Sequence, residues 1–133
     1  MSAGPPSARL LVVPGEGAEA LLDVLRDSGA GVEPVAAEPL ALGDGPAAIT
    51  DAIAAYEQLG RRVMPAAALV HGSGDRTLGA AISLVKLDIP VARLEHPDAG
   101  ADDLAGLLAE RRIAADGDLA TELSTWLGPI LAA

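Results

Sequence analysis

The chain has no cysteine and no phenylalanine, one tyrosine (Tyr56) and one tryptophan (Trp126). Without cysteine it can form neither a disulfide nor a thiolate metal site, and its redox compartment stays open. With so few aromatics it has no platform on which bases or sugars could stack, and its core must be built from Ala, Leu, Val and Ile. Basic residues are also scarce, with 9 Lys and Arg against 19 Asp and Glu and a formal net charge of −10. That balance argues against nucleic acid and against an anionic membrane surface, both of which demand clustered cations. A solvated acidic surface is its simplest meaning. No apolar run approaches the roughly 20 residues needed to cross a bilayer.

What is present is ample for one domain. Half of the 133 residues are hydrophobic, which disfavours disorder and supports a core without staples. Residues 1–8 are small and Pro-rich, with no basic region leading into an apolar stretch. They read as a disordered leader and not a signal peptide, which makes the cytoplasm the default compartment. Residues 9–133 read as a single domain, with no repeat and no interior linker.

Along the chain, Arg9–Val13 is a short apolar run stopped by Pro14-Gly15, the mark of a buried parallel strand. From Ala18, the positions Ala18, Leu21, Leu22 and Leu25 follow helical spacing up to the stop signals Gly29 and Gly31. Val32–Ala37 reads as a strand nearer an edge, because Pro34 cannot donate to a ladder. Pro39–Leu42 offers a further short strand. A helix follows through Ile49, Ala52, Ile53 and Tyr56, with Pro46 in its first turn and Gly60 near its end.

Ala66–Val70 is the next strand, then a helix with its apolar face at Leu78, Ala81, Ile82 and Val85. Val91–Leu94 is a strand, from which Leu104, Leu107, Leu108 and Arg111 predict a charged helix. Asp116-Gly117 marks a turn before a last amphipathic helix through Leu119, Leu123, Trp126, Leu127 and Ile130. Trp126 reads as a core or docking residue. The alternation predicts an α/β, three-layer, Rossmann-like domain with a parallel sheet of four or five strands. Arg9–Val13 and Ala66–Val70 are expected side by side at its centre, with Val91–Leu94 beyond.

In such sheets ligands sit outside the carboxyl ends of the strands, where helix N-termini also point. Two strand ends qualify here, His71-Gly72-Ser73 and Glu95-His96. The turn Gly72-Ser73-Gly74-Asp75 is able to bind an anion through its N–H groups, with Arg76 offsetting Asp75. It equally reads as a helix cap made by Ser73 or Asp75. Glu95 is placed to act as a general acid or base, or as a cap partner. His71 and His96 end neighbouring strands, but no pair has helical or hairpin ligand spacing, so no metal is expected. The glycine fingerprints of nucleoside-triphosphate and dinucleotide sites are missing, and no cofactor is implied.

The stretch His71-Gly72-Ser73-Gly74-Asp75-Arg76-Thr77-Leu78 resembles the N-terminal domain of the non-hydrolysing UDP-N-acetylglucosamine 2-epimerases. That family carries His-Gly-Asp-Thr-Thr-Thr-Thr-Leu after an apolar strand, then a small-residue helix, then Ile-Pro-Val running into Glu-Ala-Gly. Here a helix through Ala80, Ala81 and Leu84 leads to Ile89-Pro90-Val91 and Glu95, matching without a gap over about Ala47–Glu95.

The resemblance implies Glu95 as the acidic active-site residue. It implies His71, Gly72, Ser73, Arg76, Thr77 and His96 as substrate contacts, and a UDP-sugar as ligand. It also implies departures. Ser73 stands where the family has aspartate, and Pro14-Gly15-Glu16-Gly17 stands where it has Gly-Thr-Arg-Pro-Glu. The family's Glu-Glu-x-Asn-Arg element has no counterpart near Leu107–Arg112, and its second domain has none in this chain. The expectation is therefore an epimerase-like sugar-nucleotide domain, inactive alone and completing a site with a separately encoded protein partner; a homodimer is the other assembly expected. The alternative is a non-catalytic interaction domain that keeps the fold.

Overall fold

A computed structural model describes residues 8–13, 19–27, 32–37, 46–71, 75–95, 108–114 and 117–132. These form strands β1 (Ala8–Val13), β2 (Val32–Ala36), β3 (Ala67–His71), β4 (Val91–Glu95) and β5 (Arg111–Ala114). They also form helices α1 (Glu19–Asp27), α2 (Pro46–Val63), α3 (Asp75–Lys86) and α4 (Leu119–Ala132). Every strand pairing is parallel and the order is β2-β1-β3-β4-β5. The expected centre is thus observed, with Val12 opposite Leu69 and Val13 opposite Val70. β2 holds one edge, where Pro34 costs no ladder bond on its outer side.

Two-residue alternation divides the core into two layers of side chains. Leu10, Val12, Leu69, Ala92, Leu94 and Ile113 turn to one face, where Leu25 of α1 and Leu123, Trp126 and Leu127 of α4 cover them. Leu11, Val13, Ala68, Val70 and Val91 turn to the other, beneath Ala52, Tyr56 and Leu59 of α2 and Ala80 and Leu84 of α3. Leu10–Val13 and Ala67–Val70 are all at 0 % exposure. A strand buried on both faces must be apolar throughout, which is why these two segments carry no alternation in sequence.

Two expectations change in the structure. The fifth strand is Arg111–Ala114, where the sequence predicted the end of a charged helix through Arg111. The high helix propensity of Leu and Arg yields there to the open ladder of β4, which pairs Leu94 with Ile113 and buries Ile113 completely. Pro39–Leu42, the other candidate strand, lies outside the described residues, as do Leu104 and Leu107. Ala8, expected to close the leader, opens β1 instead.

Small residues let α2 and α3 approach closely. A Cβ at Gly79 would collide with the Ala52 side chain and come within 3.1 Å of the Ile49 carbonyl oxygen. The buried Ser83 hydroxyl donates to the Ile53 carbonyl across this seam at 2.7 Å and lies 3.0 Å from the Gly79 carbonyl. Gly60, expected near the end of the helix, sits in the last turn of α2 against Leu84 and Leu87. The helix ends at Val63, and Met64 follows it with a φ of 51°.

Asp118 caps α4. It accepts the Thr121 N–H at 3.2 Å and the Thr121 hydroxyl at 2.8 Å. These bonds, the hydroxyl first, hold its carboxyl below the ordinary 3.8.

Two outcomes follow from this packing. Gly79→Ala is expected to cost about 1–3 kcal/mol despite alanine's better helix propensity, because backbone as well as side chain must yield. Urea unfolding of the two proteins reads this directly, and an unchanged or raised midpoint would contradict the close contact.

Trp126 is 5 % exposed within its own chain, and among the described residues its Nε1–H meets no acceptor. Trp126→Ala should cost about 3–5 kcal/mol, whereas Trp126→Phe, which removes the orphan donor and keeps a ring, should be near neutral. Thermal melts separate the two, and the tryptophan emission of the parent should be that of a buried indole.

Candidate functional site

The carboxyl ends of β1, β3 and β4 open on one edge of the sheet. Parallel register fixes the relative heights of their last residues. His71 lies opposite Leu94, so Glu95 extends one residue beyond it. The chain order reverses between β1 and β3, because β1 leads outward to β2 while β3 leads to β4 and β5. That reversal opens the crevice in which open α/β sheets take ligands. α3 starts at this edge, four residues after the end of β3, with its N-terminal dipole towards it.

Of the expected site residues, the structure describes His71, Arg76, Thr77 and Glu95. Gly72, Ser73 and His96 lie outside the described residues. Thr77 is 2 % exposed and its hydroxyl donates to the His71 carbonyl at 3.2 Å. The bond ties the first turn of α3 to the end of β3. Arg76, beside it, is half-buried.

Glu95 is half-buried at the end of β4. Its Oε1 lies 3.3 Å from Arg112 Nε on β5, with the side chains 27 % and 37 % exposed. The angle is too poor for a hydrogen bond, since the same oxygen has no hydrogen-bond partner. The contact is an ion pair of charges and not a directed bond, and at this exposure it contributes roughly 0–1 kcal/mol. A ligand could therefore displace Arg112 at small cost.

His71 and Glu95 share the edge but not the side. By alternation His71 follows Leu69 towards the α1/α4 face, while Glu95 follows Val91 towards the α2/α3 face. A ligand touching both would have to straddle the strand ends.

Two arginines of this region were not singled out from the sequence. Arg93, two residues before Glu95 on the same strand face, is 1 % exposed and is the largest fully buried side chain of the described residues. Arg112 lies opposite it in register. The signal was available in Val91-Ala92-Arg93-Leu94, where a charge interrupts a strand that is otherwise apolar. Among the described residues no three His, Cys, Asp or Glu side chains come close enough to hold a metal ion. Nor is any described helix long and apolar enough to cross a membrane.

Neither a protein-family model nor a curated protein matches the sequence. Solved structures do match the fold. S. aureus MnaA in complex with UDP is similar at a TM-score of 0.66 and 17 % identity, over 91 % of this chain and 41 % of the other. A UDP-N-acetylglucosamine 2-epimerase from Listeria monocytogenes is similar at 0.67 and 12 % identity, over 93 % and 43 %. A response regulator from Chloroflexus aurantiacus is similar at 0.63 and 22 % identity, over 96 % and 99 %. The chain therefore has the fold of the epimerase N-terminal domain and spans less than half the length of those epimerases. The fold is similar to that of the response regulator as well, over 99 % of that chain.

The Thr77 bond gives a test of how this edge is held. Thr77→Val keeps the shape and removes the donor to His71, so stability should fall by about 1 kcal/mol, and Thr77→Ser should retain most of it. Equal urea midpoints for Thr77→Val and the parent would show that the bond does not hold α3 to β3.

Proposed function

We infer that the chain is a sugar-nucleotide-binding domain of the epimerase type, which does not complete epimerisation alone. The observation that carries this is the placement of Glu95. It ends β4 beside the β3 terminus, at the edge where α3 begins, in a fold shared with a protein solved with UDP. In the resemblance drawn from the sequence, this residue is the one acidic group of the family's set that persists, while aspartate is replaced by Ser73. Serine cannot ionise to take a proton. Losing a positioned proton-transfer group costs about 10²–10⁴-fold in rate, before any contribution from the remainder of an epimerase is counted. Binding of UDP or a UDP-sugar is thus the retained capacity, and a partner chain would be needed to complete a catalytic site.

The response-regulator neighbour raises a different reading, that of a phosphoacceptor. Phosphorylation of a carboxylate requires a free carboxylate as nucleophile and further oxygen ligands for a divalent cation. β3 ends on histidine, and the carboxylate at the end of β4 lies against Arg112. No group of three acidic or histidine ligands converges among the described residues. The described strand ends therefore favour the sugar-nucleotide reading.

Ligand-observed NMR with UDP, UDP-N-acetylglucosamine and free N-acetylglucosamine tests it. UDP and the UDP-sugar should bind weakly and compete with each other, and the free sugar should not bind. A coupled assay for UDP-N-acetylmannosamine should show no turnover by the isolated chain. Failure of UDP to bind would defeat the proposal, and turnover near one per second would defeat its claim of inactivity.

A further inference from the structure

The opposite edge of the sheet has features that a ligand site at the carboxyl ends does not use. A groove of about 330 Å3 runs past Arg61, Met64 and Pro65 to Asp88, Ile89 and Pro90. A second, of about 240 Å3, continues from Asp88, Ile89 and Pro90 to Leu108 and Glu110. The two share their middle residues, so together they follow the amino ends of β3, β4 and β5. Three of the four exposed large hydrophobic side chains among the described residues line them: Met64 at 79 %, Leu108 at 39 % and Val85 at 38 %.

Among the described residues, both non-glycine residues in left-handed backbone, Met64 (φ 51°) and Asp88 (φ 61°), also line the larger groove. Glycine is the ordinary occupant of such positions. A methionine there is unfavourable twice over in a lone chain, through its backbone and through its apolar surface in water. A role that uses its side chain accounts for both.

The charges say what fits. A chain of net charge −10 repels a copy of itself over most of its surface. Six of its nine basic residues lie at this edge: Arg9 and Arg111 at the starts of β1 and β5, and Arg26, Arg61, Arg62 and Lys86 in the last turns of α1, α2 and α3, with Arg61 also paired to the exposed Glu57 at 3.0 Å. The groove is also polar end to end, with Arg61 at one extremity and Glu110 at the other. A two-fold axis through its middle superposes each end on the other. It would set Arg61 of each copy against Glu110 of its partner and Met64 against Leu108. An isologous contact needs such a self-complementary patch.

We propose that the amino-terminal edge of the sheet is a self-association face, on which a second copy of this chain docks with Met64 buried in the shared groove. Dimerisation there leaves the carboxyl-end crevice of each copy open, so it is independent of what that crevice binds.

Sedimentation of the full chain from about 1 µM to about 1 mM should show a monomer–dimer equilibrium, the range over which modest interfaces associate. Met64→Gly should move two readouts in opposite directions. It should raise the unfolding midpoint of the dilute monomer, by relieving the left-handed methionine, and weaken the dimer at least about tenfold. Arg61→Glu and Glu110→Arg should each weaken association, and the double variant R61E/E110R should recover it. A parent that stays monomeric throughout would overturn the proposal. So would Met64→Gly associating like the parent, or a double variant no better than the singles.

Discussion

All five strands run in one direction, and the rest of the molecule answers to that. A parallel sheet cannot close through hairpins, and among the described residues β1, β2, β3 and β5 are each followed by a helix laid against one face or the other. Central strands are then covered on both sides, and Leu10–Val13 of β1 and Ala67–Val70 of β3 lose all contact with water. Their composition follows directly: Leu10 to Val13 and Ala67 to Val70 contain no polar side chain because neither face would tolerate one. The scarcity of aromatics belongs to the same constraint. With Ala, Val and Leu on the sheet, helices come close, and Gly79, Ala52 and Ser83 let α2 and α3 come closer still.

Such a core is legible in sequence because burial on both faces is written as an uninterrupted apolar run. β1, β3 and β4 were placed correctly, in the right order, from that feature and from the glycine and proline punctuation around them. Pro34 identified β2 as an edge strand for a reason that depends on one missing N–H. β5 was misread because it lies at the other edge and buries only one of its four residues fully. Arg111 and Arg112 carry no strand preference of their own. Their conformation comes from the free ladder of β4, a partner some twenty residues away that no local pattern records.

The site was legible in outline and not in its electrostatics. A strand ending in a glycine turn before a helix announces a crevice, and in the structure Thr77 bonds to the end of β3 while Glu95 ends β4 beside it. What sequence periodicity could not show is that register sets Arg112 opposite Arg93 and so diagonal to Glu95, or that alternation sends His71 and Glu95 to opposite faces. Arg93 is the sharpest case. A guanidinium at 1 % exposure in an acidic protein is held by its surroundings and not by water. It lies directly below the residue on which the proposed chemistry rests.

Parallel strands also make the two edges of the sheet chemically unlike, since each packed helix that follows a strand begins at the carboxyl edge and ends at the other. Helix starts bring partial positive charge to the ligand edge, and helix ends bring partial negative charge to the amino edge. Arg61, Arg62 and Lys86 in the last turns of α2 and α3 answer that field. The placement stabilises each helix, and it also concentrates cations on one side of a chain whose net charge is −10. The macrodipole that favours an anionic ligand at one edge thereby recruits the cations that make the other edge approachable. Both proposed contacts, with a sugar nucleotide and with a second copy, descend from one choice of strand direction.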